Sequence, residues 1–504
     1  MSAIPDPAAF PLHLGTPGEQ SRVRDFLRRS DFDEHTLGRV LGMESMADLG
    51  RVRWEAIQVD ALPTPLRWCL NLFVRGQSAD YQESADICGG EIMAAFEALG
   101  LLRRSRKDSS KVVCPVWLYP ADGFVVASDR RDDPDGNPFT PLPDVVFPAI
   151  YGGTLRFLRL LPETAGEAAL DLCGGSGIGA MHLARTGGAV VTADVAQRSA
   201  LFAEFNARLN GVNISSLCGD LYVPVQGQQF KAITAHPPFV PATGQMMIYR
   251  DGGDNGEAVT RRIIEGLPDH LRVGGTCVIL CVACDAQEQT FEQRARGWLG
   301  EAGNCFDLVF GLEKILSVEE VVESIHARGG NMGDQAANEL RERLRSSGTR
   351  QFVYGALFLR RDARPVRQAP LRIGLNASGT AADFDRLLAW RQHCRHPEFA
   401  AWLAESCPHL ASRLVLTARH RVRNGQLVPS EFIFSIEAGF EAALRPDAWI
   451  VPLVARLEGE TSVRQVFETA RDADELPQGF TLEPFLDLVQ RMIERGFLEV
   501  EFPR

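Results

Sequence analysis

Apolar and polar positions alternate with a helical period through the first hundred residues, over 22–29, 35–41, 66–75 and 90–99. The basic turn around Arg103, Arg104, Arg106 and Lys107 then gives way to a β-rich run at 112–118. A helix, a basic turn and a strand in that order predict a winged-helix-like module over 1–112, with the turn read as a recognition wing or as a solvated loop. Residues 118–130 read as a hairpin turning at Asp122-Gly123. From 168 onward, short apolar runs at 168–172, 189–194, 214–217, 230–235 and 276–283 alternate with helical patterns. Two further strands, 306–311 and 351–360, flank a helical insertion at 317–347. Such alternation predicts an α/β domain over 113–362. The stretch 361–372 holds two prolines and four arginines and reads as a linker. Beyond it, helical patterns at 381–391, 398–404, 450–457, 462–470 and 481–495 precede a terminal strand. This predicts an α+β, winged-helix-like domain over 363–504.

The chemistry is concentrated where the first apolar run of the α/β domain ends. Asp171 and Leu172 close that run, and four glycines follow within 174–179. This is too many for a helix or strand interior, and it suits a turn whose backbone approaches a ligand closely. Strand, glycine turn and helix in sequence form the nucleotide-binding corner of a parallel sheet. Gly175-x-Gly177-x-x-Ala180 satisfies the dinucleotide fingerprint, with Asp194 as the ribose carboxylate at the next strand end. Asp171 does not belong to that fingerprint. A carboxylate there suits a cationic amino-acid headgroup and would repel a pyrophosphate.

Sixty residues on, His236-Pro237-Pro238-Phe239 leaves the fourth strand at the same edge. Two prolines fix the backbone and remove two donors, so carbonyls are presented in a rigid loop beside an aromatic ring. Asp171-x-x-x-Gly175-x-Gly177 resembles the first motif of class I S-adenosylmethionine-dependent methyltransferases. The proline loop resembles the Asn/Asp-Pro-Pro-Tyr/Phe motif of amino-methyltransferases of the release-factor glutamine methyltransferase type, with His in the first position. The resemblance covers about half the chain and implies a Rossmann-like seven-stranded methyltransferase sheet with S-adenosyl-L-methionine as cofactor. It implies cofactor contacts from Asp171, Gly174, Gly175 and Gly177, ribose contacts from Asp194 and an adenine-amine acceptor at Asp220. Tyr151 and Thr154 would cover the methionine end, and His236, Pro237, Pro238 and Phe239 would hold the methyl acceptor. His236 would orient the nucleophile or accept its proton.

Composition narrows the rest only modestly. Hydrophobic content of 45% and charged content of 23% are ordinary for a globular protein. A net charge of −12 argues against a broad nucleic-acid surface. Together with the non-standard His it favours a small-metabolite substrate, with biosynthetic methylation of a nitrogen or oxygen. A protein side-chain amide or an RNA base amine is the alternative, and a non-catalytic cofactor-binding regulator is a second. Eleven scattered cysteines, no apolar run of membrane length and no signal-like start point to the cytoplasm. Cys281-x-x-Cys284 reads as buried small side chains, and the His393, Cys394, His396, Cys407, His409 group is too tightly spaced for a zinc site, so no metal is expected. The accessory domains are candidates for homodimer contacts.

Overall fold

The computed structural model describes residues 10–242, 247–328 and 333–502. The first nine residues and the centre of the insertion at 317–347 therefore lie outside the description. The chain forms two compact units, residues 1–306 with 315–367, and residues 307–314 with 368–504.

In the first unit, helix α1 (Gly152–Arg159) precedes strand β1 (Ala169–Leu172), and helix α2 (Ile178–Leu183) follows it. Then come β2 (Val190–Asp194), α3 (Gln197–Asn210), β3 (Ser215–Cys218), β4 (Phe230–Ala235), α4 (Ala258–His270) and β5 (Leu271–Ala286). β6 (Phe306–Leu316) lies mostly in the second unit, and β7 (Thr349–Arg361) returns to the first. The order β3-β2-β1-β4-β5-β7 reverses direction of winding between β1 and β4, and only β7 runs antiparallel. Every residue of β1 and five of six in β4 are buried, because helices cover both faces of a parallel sheet. Ligand-binding crevices of such sheets form where the strand order reverses, here at the carboxyl ends of β1 and β4.

The expected N-terminal helices form at Pro17–Arg29, Glu34–Leu41, Thr64–Cys69 and Gly90–Ala98, joined by one the pattern did not predict, Tyr81–Cys88. A small antiparallel sheet of Ala79–Asp80, Arg103–Arg104 and Lys111–Val113 closes this region. It packs within the first unit: Phe10 meets Phe202 of α3 edge-on, and Arg24 donates to the Leu209 carbonyl at 3.2 Å. The hairpin Trp117–Ala121/Phe124–Ser128 turns at Asp122-Gly123, both with positive φ, as its sequence predicts.

The insertion supplies helices Val318–Arg328 and Asp334–Ser346, whose apolar faces pack on Phe352 and Cys284 with Val240 alongside. In the second unit, β6 pairs in parallel with Leu371–Leu375, and helices Ala381–His393, Val463–Asp472 and Leu482–Glu494 share one core around Trp390, Phe467 and Phe485. A long hairpin, Leu414–Arg423 with Gln426–Ile436, fills a stretch between the expected helices to which the pattern assigned no element. Its Asn424-Gly425 turn carries positive φ at both residues, a hairpin signal present in the sequence and not used there.

Candidate active site

β1 and β4 run in register with Asp171 opposite Thr234 and Leu172 opposite Ala235, so the glycine loop and the proline loop leave the sheet at one level. The Thr234 hydroxyl donates to Asp171 Oδ1 at 2.9 Å, and the Ala180 backbone also donates to this carboxylate. Burial raises its pKa to about 7, with the nearby Asp194 adding to the shift. Asp171 thus sits beneath the loop and clamps the first turn of α2. A side chain at Gly179 would come within 2.8 Å of Asp171 Oδ2.

Gly174 is required because a Cβ there would overlap Thr192 Oγ1, and Gly177 because its φ is +79° and a Cβ would meet Ala203 Cβ at 2.7 Å. Gly175 differs: its φ is +53°, and the space beyond its Cβ position is open. Cys173 adopts φ +59° without being glycine, so the loop stores strain at the residue that leaves β1. Burial and the carboxylates of Asp194 and Asp171 push its thiol well above the usual range. Asp194 accepts the Gly175 N–H at 3.0 Å and the Ala196 N–H at 2.9 Å, and burial raises its pKa. Asp220 carries an ion pair with Arg262 of α4 at 2.7 Å, a partner that spacing alone did not reveal. The open face above Gly175, edged by the Asp194 carboxylate, fits a ligand carrying a ribose and an amino-acid tail.

On the other loop, the His236 ring stacks on Phe157 at 5.5 Å and lies 6.0 Å from the Phe239 ring. The Cβ position of Gly153 is 3.5 Å from its Cε1, so the first turn of α1 is laid directly on the imidazole. Burial lowers the His236 pKa to about 4, so the ring is neutral at physiological pH. Among the described residues, no hydrogen bond to the imidazole is formed. Tyr151 stacks on Phe147 at 4.3 Å, Phe147 on Tyr249 at 5.0 Å, and the Arg131 guanidinium lies 5.0 Å from the Tyr151 ring. Thr154 lies in the first turn of α1, one residue past Gly153.

Backbone hydrogen bonds tie the polar loop at 250–257 to the chain that continues from the proline loop. Val240 N–H donates to the Arg250 carbonyl at 2.9 Å, and Gly252 N–H to the Val240 carbonyl at 2.8 Å. A Cβ on Gly252 would press within 2.7 Å of the Pro238 carbonyl, and one on Gly256 would overlap the Phe239 carbonyl. Asp251 accepts the Met247 N–H at 2.9 Å. Arg343 of the insertion donates to the Ala242 carbonyl at 2.5 Å, so the insertion adjoins this loop.

Several positioning residues escaped the motif reading. Asn206, fully buried on α3, donates to the Ala127 carbonyl at 3.0 Å and the Ser176 carbonyl at 2.9 Å, joining the hairpin to the glycine loop. Asp129 binds Arg198 and accepts the Val146 N–H at 2.8 Å, which sets the segment leading to Tyr151. Glu257 takes Arg294 at 2.6 Å and the Cys284 N–H at 2.7 Å, and so anchors the 250–257 loop. An Asn in mid-helix and a Glu at a helix start were the available signals. Cys281 and Cys284 are buried within β5. No helix among the described residues is long and apolar enough to cross a membrane.

A parallel sheet reversed between β1 and β4, an acid-clamped glycine loop and a proline loop on one edge define a class I methyltransferase. Residues 149–295 match the family described as methyltransferase small domain. A Methanocaldococcus jannaschii chain assigned to the protein N5-glutamine methyltransferases is 29% identical over 158 residues, covering 30% of this chain and 79% of that one. The release factor glutamine methyltransferase of Gloeobacter violaceus is 28% identical, covering 29% of this chain and 56% of that one. The ribosomal protein uL3 glutamine methyltransferase of Bradyrhizobium diazoefficiens is 30% identical, covering 22% of this chain and 40% of that one. This chain therefore spans only about half the length of the latter two. Among solved structures, a ribosomal protein L11 methylase of Lactobacillus delbrueckii subsp. bulgaricus matches at 18% identity with a TM-score of 0.24, covering 42% of this chain and 77% of that one. The chain is an S-adenosylmethionine-dependent methyltransferase of class I, similar to the Pro-Pro-(Tyr/Phe) amino-methyltransferases.

Proposed function

We propose that this methyltransferase acts on the side-chain amide nitrogen of a protein, with glutamine as the favoured residue. The relatives' names support a protein substrate over the small metabolite favoured by the acidic charge and the non-standard His. The observation that carries the reading is the His236 imidazole, neutral and without a hydrogen-bond partner among the described residues. An amide nitrogen is a poor nucleophile because its lone pair is delocalised into the carbonyl. Holding both N–H groups on acceptors turns that lone pair toward the methyl donor and raises its availability. A neutral imidazole nitrogen and a carbonyl of the proline loop supply two such acceptors. His236 then occupies the role of the Asn or Asp found in the relatives' motif.

S-adenosylmethionine supplies a methyl group already activated by its sulfonium. In this reading the backbone above Gly175 receives the amino-acid tail, and Asp194 accepts the ribose hydroxyls. Asp171 acts through the loop, by fixing α2 and the strand end. Phe239 bounds the acceptor amide, and Tyr151 and Thr154 border the site from α1. As the N–CH3 bond forms and the S–CH3 bond breaks, the amide nitrogen becomes strongly acidic. Its proton can leave to a weak base or to water, so a His236 with a pKa near 4 suffices.

The test is incubation of the purified chain with methyl-labelled S-adenosylmethionine and fractionated cell extract. Label should enter the protein fraction and be released as methylamine on acid hydrolysis, because hydrolysis cleaves the amide C–N bond. Label entering RNA or small molecules instead would overturn the proposal.

A further inference from the structure

The hairpin of the second unit takes no part in the chemistry above, yet it presents an unusual surface. Leu414–Arg423 stands at the end of its strand order and, among the described residues, pairs only with Gln426–Ile436. One side of a ten-residue strand therefore offers its outward N–H and C=O groups to solvent. Nine of those ten residues are exposed, with Val415 at 50%, Leu416 at 45% and Val422 at 73%. The irregularity in the ladder lies on the inner strand: Arg419 faces Glu431 and His420 faces Pro429, so Ser430 is the extra residue. The outer strand keeps its two-residue period. Val415, Thr417, Arg419, Arg421 and Arg423 share one face, which is basic over its last three positions. Leu414, Leu416, Ala418, His420 and Val422 share the other, which is mostly aliphatic. Glu431 is the hairpin's one acid and already holds Arg419 at 2.9 Å and Arg445 at 3.0 Å. Arg421 and Arg423 lie across from Val428 and Gln426.

We infer that this outer edge docks an extended segment of a partner protein whose side chains alternate between acidic and apolar. The backbone edge supplies main-chain hydrogen bonds, the arginine face selects carboxylates, and the leucine and valine face selects aliphatic residues. A second copy of this chain fits worse. Residues directly opposite in an antiparallel pair point to the same face. Self-pairing in full overlap therefore sets Arg423, Arg421 and Arg419 against Leu414, Leu416 and Ala418. A one-residue slip sets Arg419 against itself and Arg423 and Arg421 against Val415 and Thr417, with no carboxylate on either strand to meet an arginine. A nucleic acid would use the arginines but leave the aliphatic face and the backbone edge without partners.

The test uses the full-length chain and a fluorescein-labelled peptide of five Glu-Val repeats, with a five-repeat Lys-Val peptide and a uridine decamer as comparisons. Anisotropy should show binding of the Glu-Val peptide alone, weakening with added salt. Hydrogen exchange should show new protection of amides within 414–423 when that peptide binds. The paired substitution Arg421→Glu with Arg423→Glu should weaken binding by roughly tenfold or more. Arg421→Gln with Arg423→Gln should give a smaller loss in the same direction and guards against a charge-induced collapse of the hairpin. Absence of binding, equal binding of the Lys-Val peptide, or binding without protection of 414–423 would each overturn the inference. So would arginine-dependent binding of the decamer. Concentration-dependent protection of 414–423 without peptide, together with a dimer mass, would assign the edge to a second copy instead.

Discussion

The two loops at the active edge are built by opposite means. The glycine loop is held by polar groups: Asp194 takes two backbone N–H groups, and Asp171 takes the Thr234 hydroxyl and the Ala180 backbone. The proline loop itself is held by shape, with Gly252 and Gly256 laid against its carbonyls and Phe157 against its histidine, while backbone hydrogen bonds begin only at Val240 beyond it. A loop whose donors and acceptors are committed internally presents one fixed contour, which suits an invariant cofactor. A loop held by packing leaves its polar atoms for the substrate.

The sharpest way to break this comparison is to insert one methyl group into each loop. Gly174→Ala overlaps Thr192 Oγ1 and should abolish detectable binding of S-adenosylhomocysteine by calorimetry. Gly252→Ala presses on the Pro238 carbonyl and should abolish turnover while leaving that binding within a few-fold of wild type. If Gly252→Ala loses cofactor binding as well, the two loops are not separable. Asp194→Ala is next in size. It removes the acceptor for Gly175 and Ala196 along with the ribose contact proposed above, and should weaken binding by about 2–4 kcal/mol in the same calorimetry.

The third prediction concerns His236 once a substrate is in hand. His236→Ala should lower turnover by roughly 100-fold. His236→Asn keeps an acceptor and should retain much of the activity, and neither should alter cofactor affinity. The wild-type rate should show no limb near neutrality and should fall only toward pH 4, where the ring protonates. A limb near 6.5, or an Asn variant as poor as Ala, would assign the ring to proton transfer.

The smallest effect is a pair of opposite pH slopes in stability. Asp171 has a folded pKa raised from 3.8 to about 7, so its protonated form favours the fold, and that contribution is lost as pH rises through this window. His236 has a folded pKa lowered from 6.5 to about 4, so its contribution is present above 6.5 and lost as pH falls toward 4. The two slopes oppose each other in wild type. Thermal melts between pH 4 and 8 should show Asp171→Asn losing stability relative to wild type toward acid pH. His236→Asn should lose it toward neutral pH. Parallel shifts of both variants at every pH would remove the titration argument.

What the sequence determined by itself follows from local backbone rules. Buried parallel strands must be continuously apolar, glycine alone tolerates the turns after β1, and consecutive prolines stiffen the loop after β4, so Asp171, Asp194 and His236 were legible with their strands. The Asp122-Gly123 hairpin was read in the same way, and Asn424-Gly425 carried an equal signal in a stretch to which no element was assigned. Tertiary structure decided what depends on partners distant along the chain. No spacing rule pairs Asp220 with Arg262 or sends Asn206 from mid-helix to Ser176. Nor does one lay Gly153 on the His236 ring, where burial rather than a neighbouring charge keeps the histidine neutral. Desolvation is a property of everything packed around a group, and sequence records the group alone.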